Sequence, residues 1–316
     1  MSDRAKVRLG ASDVHMVPLG VGTWAWGDKP FWGYETEFTA RDIVDAFGAS
    51  VDAGLDFFDT AEVYGHGESE KILGWMARKS GAPLVLATKY APLRGRNGAK
   101  DLPRGLASSL KRLGVPRVDL YQVHWCDTDV ASIASIADEL AACVKNGLAR
   151  AVGVSNYTAI EMREAHERLA RHGVPLASNQ VEYSLLNRAP ETDGVLETCR
   201  ELDVTLLAYS PLAQGLLTGK YGVGRVPPGR RGEQARFAPE ALARSDRVVS
   251  VLREIGRAHD GALPEQVALA WSMVQPGVVP IAGAKTGEQA ARNARALEIA
   301  LRDDERDAID RVSNSA

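Results

Sequence analysis

The chain has 316 residues, 45% of them hydrophobic and 25% charged, with a formal net charge of -3. These values exclude a disordered or collagen-like chain, and the charge offers no bulk basicity for nucleic acid. At roughly 100–200 residues per domain, the length fits two domains or one large α/β barrel.

The opening, Met1-Ser2-Asp3-Arg4, has no apolar segment behind it, and no later run approaches the ~18 apolar residues of a membrane span. Cys126, Cys143 and Cys199 are odd in number and widely spaced. Neither a disulfide framework nor a zinc site is expected, and a reducing compartment fits. The expectation is a soluble, cytoplasmic protein with no metal and no nucleic-acid or membrane partner.

In chain order, Val7-Arg8-Leu9 and the apolar residues at 14–17 flank Gly10-Ala11-Ser12-Asp13, which predicts a hairpin. Eight apolar runs of strand length follow, at residues 19–24, 55–60, 84–89, 118–124, 149–155, 177–182, 204–210 and 278–282. Helical patterns lie between them. Thr39 precedes Ile43, Val44 and Phe47 as an N-cap. Residues 68–79, 103–113, 158–171 and 190–202 read as helices, and Ile133, Ile136, Leu140 and Val144 share one face at steps of three and four. Residues 222–239, rich in Gly, Pro and Arg, predict a long solvated loop that includes Arg230 and Arg231. Helices near 242–259, from about 288 and over 302–312 complete the series.

Eight strands alternating with helices imply parallel pairing, and the count favours a closed barrel over an open doubly wound sheet. The expected fold is therefore α/β: a single (β/α)8 TIM barrel over residues 1–316. The N-terminal β-hairpin sits at its bottom, and extra helices lie near the C-terminus.

In such barrels chemistry gathers at the carboxyl ends of the strands. The second run ends at Asp59, with Tyr64 just beyond; the third ends at Lys89 and the fourth at His124. Each has a bland reading alone: an Asp as helix cap, a Lys as edge charge, a His as core residue. Together they converge on one mouth. An Asp–Lys charge pair beside a Tyr hydroxyl favours the phenolate and lowers the tyrosine's pKa, making it a general acid or base. A neutral His orients a carbonyl oxygen. Such a site suits carbonyl reduction, with hydride supplied by a cofactor. Trp24, Trp26 and Trp32 follow the first strand and Trp125 follows His124, which suggests an aromatic substrate pocket. A metal-dependent hydrolase using His124, Asp127 and Asp129 lacks a second histidine at ligand spacing.

The run from Gly54 to Gly65, GLDFFDTAEVYG, resembles the signature of the aldo-keto reductase family. Glu68-Ser69-Glu70, Val118-Asp119-Leu120-Tyr121-Gln122-Val123-His124-Trp125, Gly153-Val154-Ser155-Asn156-Tyr157 and Asn179-Gln180-Val181-Glu182-Tyr183 are similar to its later motifs. So are Ala208-Tyr209-Ser210-Pro211-Leu212, the run Gly215-Leu216-Leu217-Thr218-Gly219-Lys220-Tyr221, and Ile281-Ala282-Gly283-Ala284-Lys285-Thr286. The resemblance implies an NADP(H)-dependent reductase of small-molecule aldehydes or ketones, with Tyr64 as acid, Lys89 and Asp59 behind it and His124 orienting the carbonyl. It assigns Ser155, Asn156 and Gln180 to the nicotinamide carboxamide and Tyr209 to its ring. Ser210, Leu212, Gln214, Gly215 and Lys220 fall along the pyrophosphate. Lys285 and Thr286 fall at the 2′-phosphate, with Gln289 and Asn293 near the adenosine, and Gly283 joins the cofactor-binding set. Many members place an Arg in the last motif; the nearby residues here are Gln289 and Arg292, and the loop arginines Arg230 and Arg231 have phosphate contact as the alternative to solvation. The family's channel-associated subunits make an NADPH-binding sensor the alternative.

Overall fold

Inward-facing residues of successive strands change character along the barrel axis, from apolar at one end to ionisable at the other. The computed structural model describes residues 4–314; the ends of the expected 1–316 domain, residues 1–3 and 315–316, lie outside them. Strands β1 (Val7–Arg8) and β2 (His15–Met16) form an antiparallel hairpin. Strands β3 (Gly20–Gly22), β4 (Phe57–Asp59), β5 (Val85–Tyr90), β6 (Val118–Val123), β7 (Ala149–Ser155), β8 (Leu176–Glu182), β9 (Thr205–Tyr209) and β10 (Val278–Gly283) close into a parallel barrel. Side chains alternate along a strand, so residues two apart share a face. Phe57, Ala87 and Leu120 belong to a buried apolar cluster inside the barrel. Two residues further along the same faces stand Asp59, Lys89 and Gln122.

The hairpin seals the apolar end. Leu9, Val14 and Met16, all fully buried, join Phe57, Leu120, Leu207 and Ile281 in that cluster. Gly10 permits the seating: its φ is +49°, its N–H donates to Thr205 Oγ1 at 2.7 Å, and a Cβ there would meet the Ala177 carbonyl oxygen at 2.4 Å. Leu9→Ala should leave a cavity costing about 2–5 kcal/mol. Urea unfolding checks this; an unchanged midpoint would show that the plug carries no stability.

The helices form where the sequence signals them. Helix α1 (Ala40–Asp52) starts in a Thr39–Asp42 capping box, and α2 (Glu68–Ser80) and α3 (Leu102–Leu113) stop at left-handed Gly81 and Gly114. Helix α4 (Ile133–Lys145) is capped by Ser132, and α5 (Ala159–Ala170) by a Thr158–Glu161 box. The helix expected over 190–202 is divided into α6 (Ala189–Thr192) and α7 (Val195–Glu201). Gly194 takes φ 84°, and the Asp193 carboxylate accepts from the Val195 N–H at 3.0 Å, restarting the helix there. Helices α8 (Pro239–Arg257), α9 (Pro264–Met273), α10 (Gly287–Ala294) and α11 (Asp303–Asn314) follow.

The segment at 222–239 departs from a solvated loop. It contains short turns at Gly229–Arg231 and Ala235–Phe237, and both Arg231 and Phe237 are buried. The Arg230 side chain lies outside the described residues.

Candidate active site

Asp59 and Lys89 come from adjacent strands and are almost fully buried, with side-chain exposures of 4% and 0%. The Lys89 ammonium donates to Asp59 Oδ1, to the Thr60 carbonyl at 2.9 Å and to the Tyr64 hydroxyl at 3.4 Å. Asp59 Oδ2 accepts from Gln122 Nε2 at 3.1 Å and Gln180 Nε2 at 3.0 Å. Burial disfavours the Lys89 cation, but Asp59 and Tyr64 hold its pKa above the ordinary value.

Tyr64 stands on a constrained turn between β4 and α2. Gly65, His66 and Gly67 all have positive φ, of 55°, 55° and 87°. Ser69, in the first turn of α2, fastens this segment: its hydroxyl bonds Thr60 Oγ1 at 2.9 Å and Thr23 Oγ1 at 2.8 Å and donates to the Thr23 carbonyl at 2.9 Å. Burial raises the Tyr64 pKa; Lys89 pulls it down, as expected, but by less. The net direction is therefore up, and the phenol keeps its proton at neutral pH. His124 lies edge-on to Tyr64, ring centres 5.6 Å apart. Burial, and then the Lys89 charge, lowers its pKa to about 3, so the imidazole is neutral. Its buried Nδ1 has no partner among the described residues.

Next to this group, Ser155 Oγ donates to the Gln180 carbonyl at 2.7 Å. Asn156, at φ 57°, donates to the His124 carbonyl at 3.0 Å and accepts from the Tyr209 hydroxyl at 3.1 Å. Burial pushes the Tyr209 phenol up to about 12. These residues line one end of a cleft of about 760 Å³, a volume typical of ligand sites. Ser210, Leu212, Gln214, Gly215 and Lys220 continue its wall. Gly283, Lys285, Thr286, Gln289 and Asn293 line its far side.

The far end carries more positive than negative charge. Lys220, Arg231, Lys285 and Arg292 border it, against the carboxylates of Glu37 and Glu265. The Lys285 ammonium donates to the Trp32 carbonyl at 2.9 Å and to Glu37 at 3.3 Å, and lies 4.7 Å from the Phe38 ring centre. Its pKa is lowered, by burial first and then by Arg231 and Lys220. Arg231 bonds the Tyr221 hydroxyl and lies 5.1 Å from the Trp32 ring centre. Thr286 caps α10, accepting from the Gln289 N–H at 3.3 Å. Gln289 Oε1 accepts from the Lys285 N–H at 2.9 Å, and Asn293 donates to the Gly283 carbonyl at 3.2 Å. Among the described residues, the buried donors Trp32 Nε1 and Arg231 Nε have no acceptor, whereas Arg292 is ion-paired with Glu265 at 3.7 Å and Glu288 at 3.5 Å. Excess positive charge with unanswered donors matches an anionic group, and the amides at the opposite end match a polar ring substituent. The residues thus fit a nicotinamide dinucleotide.

Sequence reasoning placed four tryptophans at the mouth; the structure brings two to the cleft. Trp24 and Trp32 line it, and Trp24 faces Tyr64 at 6.1 Å between ring centres. Trp26 is fully buried and is corrected to a core role. Its indole donates to the Ala284 carbonyl at 2.8 Å and its ring packs on Phe58. The cause is a turn, Trp26 N–H to Thr23 carbonyl at 2.9 Å, which sends Trp24 and Trp26 opposite ways. Trp125 sits 5.1 Å from the His124 ring but outside the cleft lining. Phe31, also outside the lining, stacks on Trp24 with ring centres 5.0 Å apart and braces it from behind. Gln122 was unassigned to the site. Among the described residues no group of three or more His, Cys, Asp or Glu is placed to hold a metal, and no helix is long and apolar enough to cross a membrane.

Fold and site define a (β/α)8-barrel enzyme with its polar groups at the carboxyl ends of the strands. The profile of the aldo/keto reductase family matches residues 18–314, and the chain belongs to that family of oxidoreductases. It is 35% identical to the chloroplastic pyridoxal reductase of Arabidopsis thaliana, over 95% of this chain and 83% of that protein. It is 30% identical to an NADH-specific methylglyoxal reductase of Escherichia coli, over 94% and 95% respectively. The glycerol dehydrogenase of Gluconobacter oxydans superposes with a TM-score of 0.85 at 27% identity, covering 99% of this chain and 95% of that one.

Proposed function

We propose that the protein, acting as one domain, reduces small aldehydes or ketones to alcohols with NADPH, Tyr64 being the general acid. The observation that carries this reading is the Tyr64 hydroxyl, 3.4 Å from Lys89 Nζ and edge-on to His124, at one end of a cleft whose other end is cationic. When bound, the nicotinamide supplies the hydride. Tyr64 gives its proton to the carbonyl oxygen as negative charge develops there. Lys89, held by Asp59, then stabilises the phenolate left behind. His124, neutral at working pH, orients the same oxygen by a hydrogen bond. Trp24, backed by Phe31, stacks beside Tyr64 and limits its exposure to water. Ser155, Asn156 and Gln180 hold the carboxamide, and Tyr209 offers its ring as a platform. Three free thiols, Cys126, Cys143 and Cys199, support a reducing, cytoplasmic setting. The test follows loss of reduced-nicotinamide absorbance across a carbonyl panel; absence of turnover with every aldehyde, despite tight NADPH binding, would return the sensor reading.

A relative named as NADH-specific makes the cofactor choice a matter for this chain's own residues. Lys285 supports NADPH, together with the helix N-terminus capped by Thr286 and the neighbouring Arg231. Lys285→Ala should weaken NADPH binding by about 1.5–3 kcal/mol, the range for a charge-assisted hydrogen bond. NADH binding should barely change. Titrations of both cofactors decide: equal losses, or none, would remove Lys285 from the phosphate site.

A further inference from the structure

We propose that Gln122 is a positioning residue of the reaction: it fixes the Gln180 amide in the one orientation that turns its carbonyl oxygen toward the nicotinamide. The proposal rests on the reading of this cleft as a nicotinamide site.

Gln122 is fully buried on β6, on the inward face two residues past Leu120. An amide there needs both its polar ends satisfied. Its Nε2 donates to Asp59 Oδ2 at 3.1 Å, and its Oε1 accepts from Gln180 Nε2 at 3.3 Å. Gln180 Nε2 also donates to Asp59 Oδ2, at 3.0 Å. The three side chains form a closed triangle. Both N–H bonds of the Gln180 amide are thereby spent, one on Asp59 and one on Gln122. Flipping that amide would set its oxygen against the Asp59 carboxylate and the Gln122 oxygen, three acceptors with no proton among them. Gln180 therefore presents its oxygen to the cleft, where an acceptor meets the N–H of a carboxamide. The barrel leaves room for the triangle at Gly153, where a Cβ would stand 3.3 Å from Gln122 Cγ and 2.2 Å from Ser178 Oγ.

Asp59 gives the triangle a second consequence. Oδ1 holds Lys89 and Oδ2 holds two amides, so the carboxylate is pinned in one rotamer. The ammonium is thus held where it also reaches Tyr64.

The test compares NADPH with its 3-acetylpyridine analogue, which carries a methyl group where the carboxamide has NH2. Gln122→Met keeps the volume and removes both hydrogen bonds. With NADPH, kcat should fall about tenfold while the KM for the aldehyde stays within twofold. With the analogue, which gives the Gln180 oxygen nothing to accept, the same substitution should change kcat less than twofold. Loss of the Asp59 donor should also move the alkaline limb of the reduction profile to higher pH. Gln122→Glu supplies the second variant. Its protonated carboxyl offers one donor and one acceptor in the same shape, so activity with NADPH should recover at acid pH and fall as pH rises. Wild-type kcat in Gln122→Met, equal loss with both cofactors, or no acid recovery in Gln122→Glu overturns the proposal. Failure of the wild-type protein to bind either reduced nicotinamide overturns the functional reading itself, and this inference with it.

Discussion

Replacing Tyr64 with Phe should lower carbonyl reduction by ~10²–10⁴-fold and leave NADPH affinity unchanged. The substitution removes the proton but keeps the ring that faces Trp24 at 6.1 Å and meets His124 edge-on, so the pocket keeps its shape. The pH profile gives the sharper check. Burial holds the Tyr64 pKa above its ordinary value, so reduction needs the protonated form and declines only as pH rises through that raised value. His124, with a pKa of about 3, adds no limb near neutrality. The residual activity of Tyr64→Phe should lack the alkaline limb altogether. A variant with wild-type turnover under conditions where chemistry is rate-limiting, or with the limb intact, would mean that another group is the acid.

Lys89→Met should be comparably damaging to the rate and also costly to stability. Removing one partner of a buried ion pair strands the other, typically at about 3–5 kcal/mol. Asp59 keeps its two amide donors after the change but loses the cation. The double variant Lys89→Met with Asp59→Asn separates the two effects. It should regain most of the lost stability, because no charge is left unpaired, yet remain inactive, because nothing stabilises the phenolate. Urea midpoints and single-turnover rates read the two outcomes. Recovery of rate in the double variant would remove Lys89 from the chemistry.

The barrel was legible because strand and helix periods differ and both run cleanly here; all eight expected strands lie within a few residues of those observed. Asp59, Lys89 and His124 were legible for a local reason: each closes an apolar run, and parallel strands bring run ends together. Long-range geometry was not. Trp24 and Trp26 look alike in sequence, and only the hydrogen-bonded turn between them decides which ring reaches the cleft. Arg231 sits in a stretch whose composition reads as solvated, and its burial depends on Trp32 and Tyr221, neither adjacent in sequence. Gln122 is an unremarkable strand residue until Asp59 and Gln180 meet it from two other strands. The net pKa of Tyr64 was equally out of reach, because burial outweighs the charge that sequence alone brings to mind.

The N-terminal hairpin seats on strands that lie far along the chain. Its docking hydrogen bond spans 195 residues, from Gly10 to Thr205, and its apolar contacts extend to Ile281 on the strand that closes the barrel. A chain emerging from the ribosome therefore carries Leu9, Val14 and Met16 exposed until nearly all of its length is made. Loop-closure entropy is met before these contacts reward it, so the plug adds to the non-local contacts that slow the folding of such a barrel. A fusion partner placed ahead of residue 4 loads the segment that must still swing beneath the finished barrel, whereas one placed behind α11 leaves that movement free.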